Sequence, residues 1–274
     1  MANETVSGPT ATMPDISIIV PTPDPDITFG WESTLRASPI EGELLVRSEG
    51  SASAARNAGI RAASTDKLVF LDDDSVPRGD YFDRVAALLE DHPAVTGRIR
   101  DTGARYLRPV SSNDYDQGDT GHVTETVVGC NMAIRRSVVE EIGGFDERLP
   151  YGHEETELID RLCESYDVWY CPDLVVDHPF AESLGDYLEK QYRHGREAVP
   201  YYAIRGDDVP RRMARFVFVP SHYTGPSLRA TALRTLGQIV AVGGLLRGYA
   251  GHRLAADSEA AFDPDSSTHR EGSH

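Results

Sequence analysis

Short apolar runs alternate with segments of helical pattern, and this alternation restricts the fold more than any other feature of the sequence. DISIIVPT (15–22), GELLVRSEGS (42–51) and KLVFLDDD (67–74) contain the branched apolar residues typical of buried strands. SASAARNAGIRAAST (51–65) begins with capping serines, and GDYFDRVAALLEDHP (79–93) ends at a proline, so both are predicted to be helices. Strand and helix in alternation predict an α/β fold, in which helices cover a mostly parallel sheet.

The charge of the chain excludes one class of partner and indicates an environment. It carries 27 basic and 44 acidic residues among 274, with a net charge of −17, which disfavours binding to nucleic acid. Lys67 and Lys190 are the only lysines. An acidic, lysine-poor composition predicts a halophilic source. The three cysteines show no CxxC spacing, so we expect reduced core residues rather than disulfides or a zinc site.

Composition also divides the chain. Residues 1–14 are small and polar and are predicted to be disordered, residues 15–204 to form one folded α/β domain, residues 205–254 to form a basic helical extension, and residues 255–274 to be a disordered tail. No apolar stretch reaches the roughly 18 to 20 residues of a membrane span, and the N-terminus lacks the pattern of a signal peptide. The sequence therefore predicts a cytoplasmic protein, at most peripheral at the inner face of the membrane.

Three consecutive aspartates follow the third predicted strand. In parallel sheets ligands gather at the carboxyl ends of strands, where Asp72, Asp73 and Asp74 would lie. Their mutual repulsion is relieved most simply by a divalent cation, which prefers hard oxygen ligands. The alternative is a solvated acidic turn.

The order of several motifs resembles family-two glycosyltransferases with the GT-A fold. The resemblance rests, in this order, on DISIIVPT (15–22), SAARNAGIRAASTDKLVFLDDDSVP (53–77) and GCNMAIRRSVVEEIGGFDERLPYGHEETELIDRL (129–162), and covers about residues 15–200. It implies transfer of a sugar from a nucleoside diphosphate sugar to an acceptor hydroxyl, assisted by Mn²⁺ or Mg²⁺. Inversion is the expected outcome in this family, although the residues alone leave retention open.

The resemblance also implies roles for individual residues. Asp72, Asp74 and His178 would bind the metal, and Glu155, beside Glu154, would be the general base at the start of a helix. Donor-binding residues would be Arg56, Glu49, Asp72, Asp73 and Asn131, and acceptor-side residues would be Gly129, Met132 and Asp146. The alternatives are a surface role for Arg56, a structural role for His178, and simple stabilisation of the helix dipole by the two glutamates.

The residues after the second predicted strand do not identify the nucleotide base of the donor. Relatives usually carry Asp-Asp-Gly-Ser there, whereas this chain has Ser48, Glu49, Gly50 and Ser51. Two other classes of protein share such a fold. A sugar nucleotidyltransferase should have a glycine-rich basic loop after its first strand, which VPTPDPDITFG (20–30) lacks. A non-catalytic glycan-binding or scaffold protein would explain the altered base-binding motif.

The C-terminal extension is basic, whereas the rest of the chain is acidic. Residues 205–253 contain eight arginines and two aspartates, and ATALRTLGQIVAVGGLLRGYAGHR (230–253) combines arginines with apolar residues such as Leu245 and Leu246. This pattern is compatible with an interfacial helix on an anionic membrane. It is equally compatible with a helical hairpin packed on the catalytic domain. By analogy, the acceptor would be a glycan or a lipid-linked glycan used in surface glycosylation.

Overall fold

The computed structural model describes residues 14–111 and 113–262 of the chain. The segment predicted to be disordered at the N-terminus lies, apart from Pro14, outside the described residues, and so do residues 263–274. Residues 255–262 belong to the last helix, which ends at Phe262, so the predicted tail begins with helix rather than disorder. The alanines in this stretch are strong helix formers, which accounts for the longer helix.

Eight strands and eight α-helices follow one another along the described chain. The strands are β1 (Ile16–Pro21), β2 (Gly42–Arg47), β3 (Lys67–Phe70), β4 (Val76–Pro77), β5 (Ala94–Asp101), β6 (His122–Thr124), β7 (Met132–Arg135) and β8 (Val168–His178). The helices are α1 (Glu32–Ala37), α2 (Ala52–Ala62), α3 (Tyr81–Asp91), α4 (Arg136–Glu141), α5 (Glu154–Leu162), α6 (Leu184–Ile204), α7 (Val209–Phe218) and α8 (Leu228–Phe262). The strands and helices predicted before residue 93 are confirmed.

The strands form one mixed sheet. Its order is β2-β1-β3-β7-β5-β8-β4, and β6 pairs with β8. β1 is parallel to β2 and β3, and β5 is parallel to β8, while β7 runs antiparallel to both β3 and β5. β1, β2, β3, β5 and β8 therefore run in one direction and end at the same edge of the sheet, which we call the carboxyl edge. The predicted α/β fold class is confirmed.

Helices cover both faces because the strands alternate their side chains. On β1, Ile16, Ile18 and Val20 pack with side chains of α1 and α3, whereas Ile19 belongs to a second core with α2, α4 and α5. α2 comes especially close: a Cβ at Gly59 would lie 2.4 Å from the Ile19 side chain. Both faces of the sheet are therefore buried, as expected of a parallel sheet.

The chain divides into two compact units, residues 1–182 and residues 183–274. The predicted boundary lay after residue 204, whereas α6 belongs to the second unit. The reason is its packing against α8, where a Cβ at Gly195 would lie 1.9 Å from the carbonyl oxygen of Ala241. α6 and α8 thus pair as closely as a helical hairpin requires. Among the described residues, no helix is both long and apolar enough to cross a membrane.

Candidate active site

The carboxyl edge brings Asp72, Asp74 and His178 together. The aspartates follow the end of β3 and the histidine ends β8, and these strands run in the same direction. Nε2 of His178 lies 3.1 Å from Oδ1 of Asp74 and 3.8 Å from Oδ2 of Asp72. Both aspartates remain partly open to solvent: the side chain of Asp72 is 33% exposed and that of Asp74 is 46% exposed. The residues predicted to bind a metal therefore converge on one point.

The imidazole of His178 is fixed by two residues that the sequence analysis did not identify. Its Nδ1 lies 2.9 Å from the hydroxyl oxygen of Tyr115, and Cys130 is hydrogen-bonded to the ring. Burial lowers the pKa of His178, but the negative carboxylates of Asp74 and Asp72 oppose this effect, and the net shift of the pKa is upward. The imidazole nitrogen thus faces a site that attracts positive charge.

The donors at this edge fit a hard divalent cation. Atoms of Asp72, Cys130 and His178 that could act as ligands all lie within 4.8 Å of one another. Burial raises the pKa of Cys130, which keeps its sulfur a thiol and a poor ligand. The carboxylates of Asp72 and Asp74 are ligands that Mn²⁺ and Mg²⁺ accept, and Asp74 is within reach of the same imidazole nitrogen as Asp72. Cys130 therefore supports His178 instead of completing the metal site.

Arg56 connects the aspartates to the helix that carries the two glutamates. It projects from α2, is almost fully buried, and lies over the ring of Phe145 at 5.4 Å. Nη2 donates to Oδ1 of Asp72 at 3.0 Å, and Nη1 donates to Oε1 of Glu154 at 2.8 Å. The alternative of a surface arginine is wrong. A direct contact with donor phosphate stays a prediction, because both observed partners are carboxylates of the protein.

Glu154 and Glu155 begin α5 after a sharp turn. Gly152 and His153 both have left-handed backbone angles, with φ of 71° and 68°. Glu154 is buried and Glu155 is half-buried. Burial and then the charge of Glu154 raise the pKa of Glu155 to about 8, against the opposing charge of Arg56. A carboxyl group that titrates near neutral pH can both accept and release a proton, as a general base requires.

Gly129 lies between the arginine and the glutamate. A Cβ at this position would be 3.2 Å from Nη2 of Arg56 and 3.8 Å from Cβ of Glu155. The absence of a side chain therefore lets the turn at residues 129–131 approach both groups. This places Gly129 beside the candidate base, while contact with an acceptor stays a prediction.

Two predicted site residues on the same segment are buried in the protein. The hydroxyl of Tyr81 donates to Oδ1 of Asn131, at 3.0 Å. Nδ2 of Asn131 donates to the carbonyl oxygens of Arg98 and Leu174, at 3.2 and 3.0 Å. The prediction that Asn131 binds the donor is corrected, because its side chain is fully buried and engaged in fixing strands. Met132 is 1% exposed within the core, so its predicted contact with the acceptor is corrected as well.

The remaining predicted residues occupy less central positions. The hydroxyl of Thr22 donates to Oδ2 of Asp73 at 2.7 Å, which ties this aspartate to the end of β1. Glu49 follows β2, is exposed, and lies 3.8 Å from Nη1 of Arg47. Asp146 accepts from Nε of Arg148 at 2.9 Å. Donor contacts of Asp73 and Glu49 and an acceptor contact of Asp146 stay predictions.

Comparison with known proteins agrees with the motifs. Residues 36–143 match the family described as Glycosyl transferase family 2. The predicted resemblance is confirmed over this segment. The matched segment includes α2, the three aspartates and the turn that contains Gly129 and Cys130.

Two kinds of curated relative match over about two thirds of the chain. The pre-mycofactocin glycosyltransferase of Mycobacterium tuberculosis is 30% identical over 199 residues, which cover 67% of this chain and 40% of that protein. Glycosyltransferase AglE of Haloferax volcanii is 26% identical over 206 residues, covering 69% of this chain and 66% of that protein. The chain thus spans well under half the length of the Mycobacterium protein.

Solved structures that match this one in fold include two glycosyltransferases. The mannosyltransferase PcManGT from Pyrobaculum calidifontis, in complex with GDP-Man and Mn²⁺, is 18% identical with a TM-score of 0.46, covering 93% of this chain and 82% of that one. GalNAc-T7 with UDP, GalNAc and Mn²⁺ is 13% identical with a TM-score of 0.44, covering 69% and 51% of the two chains.

Proposed function

We propose that this protein is a metal-dependent glycosyltransferase that moves a sugar from a nucleoside diphosphate sugar to an acceptor hydroxyl. The observation that carries the proposal is that Arg56 joins Asp72, which lies with Asp74 and His178 at the candidate metal site, to Glu154, whose neighbour Glu155 is a carboxyl group of raised pKa. The family match and the names of the curated relatives support the same reaction class.

The two halves of the site have separate tasks. Mn²⁺ or Mg²⁺ held by Asp72, Asp74 and His178 would offset the charge of the diphosphate and of the leaving group. Glu155 takes the proton from the acceptor hydroxyl as that oxygen attacks the sugar carbon bonded to the diphosphate. The carbon–oxygen bond to the acceptor forms while the bond to the diphosphate breaks, which inverts the configuration at that carbon. Glu154, fixed by Arg56, keeps a negative charge beside the base and so raises its affinity for the proton.

The acceptor belongs to the same proposal. We infer a glycan or lipid-linked glycan, as predicted from the sequence, since residues 228–254 are basic and apolar in an otherwise acidic chain. The base and the sugar of the donor are left to experiment, because Glu49 stands where relatives usually carry aspartate.

The test is a panel of donors. The full-length protein is incubated with UDP-, GDP- and dTDP-sugars and a mixture of glycan acceptors, with Mn²⁺, with Mg²⁺ or with EDTA, and release of nucleoside diphosphate is measured. We expect release with one class of donor, and its loss in EDTA. Calorimetry of donor binding should show that Asp74→Asn removes the metal-dependent part, whereas the exposed Asp91→Asn binds normally.

Two results would contradict the proposal. Unchanged metal-dependent binding in a folded Asp74→Asn protein would remove the metal assignment. Tight donor binding without turnover for every donor and acceptor, in the presence of metal, would favour a non-catalytic glycan-binding protein.

A further inference from the structure

The last helix has an apolar face that is exposed. Its members recur every three or four residues along α8, from the first residue of the helix to the last described side chain: Leu228, Ala232, Leu236, Ile239, Gly243, Leu246, Ala250 and Leu254. At about 100° per residue they fall within an arc of about 80° around the helix axis. The large members are 91%, 39%, 61%, 58% and 67% exposed, in chain order. We call this set the outer stripe.

The opposite face of α8 accounts for the packing of the helix. Leu245 is fully buried and packs with Ala198 and Val199 of α6, and Ala241 is 1% exposed. Leu245 was grouped with Leu246 in the sequence analysis, but one residue further along the helix turns the side chain by about 100°. Only Leu246 belongs to the outer stripe. The stripe is therefore apolar without contributing to the core that α6 and α8 share.

Positive charge borders the outer stripe. Arg229, Arg247 and Arg253 are exposed. At about 100° per residue around the helix axis, Arg229 and Arg247 lie about 20° outside one border of the stripe, and Arg253 lies about 20° outside the other border. Residues 228–254 contain no aspartate or glutamate, in a chain whose net charge is −17. Arginine can lay its apolar stem along an apolar surface while its guanidinium reaches outward. The stripe with its borders thus combines an apolar strip and two basic edges.

This charge pattern distinguishes between possible occupants. A second copy of the chain would bring the same arginines face to face, which opposes association. An anionic lipid surface offers the opposite charge and an apolar layer beneath it. Helices that lie in such an interface combine exposed apolar residues with arginine or lysine, and the exposed side of α8 has both.

We propose that the outer stripe of α8 docks the protein on the surface of an anionic lipid bilayer. The helix would lie along the interface, with the stripe in the acyl boundary and Arg229, Arg247 and Arg253 at the headgroups. The inference is independent of the proposed transfer reaction, because it concerns binding to lipid and requires no donor, metal or turnover.

Co-sedimentation of the full-length protein with vesicles tests the proposal. Vesicles of phosphatidylglycerol and of phosphatidylcholine are compared in 0.15 M and 2 M salt, where the Debye length falls from about 8 Å to less than about 3 Å. We expect binding to phosphatidylglycerol at both salt concentrations and at least about tenfold weaker binding to phosphatidylcholine in 0.15 M salt, the range for loss of several favourable charge contacts.

Two sets of variants separate the apolar and the charged contributions. Ile239→Gln combined with Leu246→Gln should weaken binding at least about tenfold at both salt concentrations, since it removes two of the apolar anchors. Arg229→Gln combined with Arg247→Gln should weaken it in 0.15 M salt only. Leu184→Gln, at a 37% exposed leucine of α6, is the matched control and should bind as the unmodified chain does. Circular dichroism confirms equal helix content in all variants.

Several outcomes would overturn the proposal. One is a full-length protein that stays in the supernatant with phosphatidylglycerol vesicles at both salt concentrations. Another is unchanged binding by the folded Ile239→Gln, Leu246→Gln protein. A dimer in sedimentation velocity that this double variant dissociates, without vesicle binding, would assign the stripe to self-association instead.

Discussion

Replacing Glu155 by glutamine should change how the stability of the protein depends on pH. Glutamine has the size of the protonated acid and cannot ionise, so the substitution removes one titration and little else. The pKa of Glu155 is raised from 4.5 to about 8 by burial and by Glu154. In the unfolded chain the same carboxyl group ionises near its ordinary value.

The difference in pKa between the folded and unfolded states sets the sign and the size of the change in stability with pH. Between about pH 4.5 and 8 the folded state holds a proton that the unfolded state has released, so stability is highest below pH 4.5 and is lost as pH rises through about 8. The full shift corresponds to about 5 kcal/mol, at about 1.4 kcal/mol per pH unit. Glu155 is only half-buried, and water screens part of its charge. We therefore expect Glu155→Gln to gain about 2–4 kcal/mol over the unmodified protein between pH 5 and pH 9.

Urea unfolding measures this gain directly. The free energy of unfolding is determined in EDTA at each pH from 5 to 9 for the unmodified protein, Glu155→Gln and Glu164→Gln, a control at an exposed glutamate just after α5. The curve of Glu164→Gln should run parallel to that of the unmodified protein, and the curve of Glu155→Gln should rise away from it with pH. A constant difference for Glu155→Gln across this range would refute the assigned pKa and its physical cause.

Four further outcomes are expected. Glu155→Gln should bind the donor normally but transfer sugar about 10²-fold more slowly or worse, and kcat/KM of the unmodified protein should rise with pH up to about 8, both measured with the donor found in the panel. Arg56→Met leaves the buried carboxylate of Glu154 without its cation and should lower the free energy of unfolding by about 3–5 kcal/mol in urea titrations, whereas the exposed Arg36→Met changes it little. Gly129→Ala should fold, yet reduce kcat about tenfold or more, because its Cβ pushes on the guanidinium of Arg56; a normal kcat would show that the close approach is not needed. Asn131→Ala should cost about 2–4 kcal/mol of stability through three unsatisfied polar groups, and calorimetry should find donor affinity unchanged in the folded protein, since a large loss of affinity would restore Asn131 to the donor site.

Features that depend on short-range pattern could be predicted from the amino-acid sequence. Branched apolar runs and capped helices specified the alternation of strand and helix, and the position of Asp72 and Asp74 just after a strand placed them at the carboxyl edge. The ordered motifs also indicated the family segment that the comparison confirms. These inferences succeeded because strand periodicity, helix capping and motif spacing are all properties of neighbouring residues. The halophilic source stays a prediction, since composition alone supports it.

Which side chains meet could not be predicted, because the contacts join residues far apart along the chain. Tyr115 and Cys130 contact His178. No local pattern around Tyr115 predicts that contact, and for Cys130 the motif indicated only the adjacent Gly129. Arg56 was assigned to the donor from its motif, but its partners, Asp72 just after β3 and Glu154 at the start of α5, lie 16 and 98 residues away along the chain.

The same limit explains the predictions that the structure corrects. Asn131 and Met132 lie in a motif segment, and a motif does not tell which of its side chains turn toward the site and which turn into the core. On α8 the register of the helix against α6 buries Leu245 and exposes Leu246, although the two are adjacent and identical in type. Sequence pattern fixes the period of an element, whereas the rotation that selects its buried face is set by what packs against it.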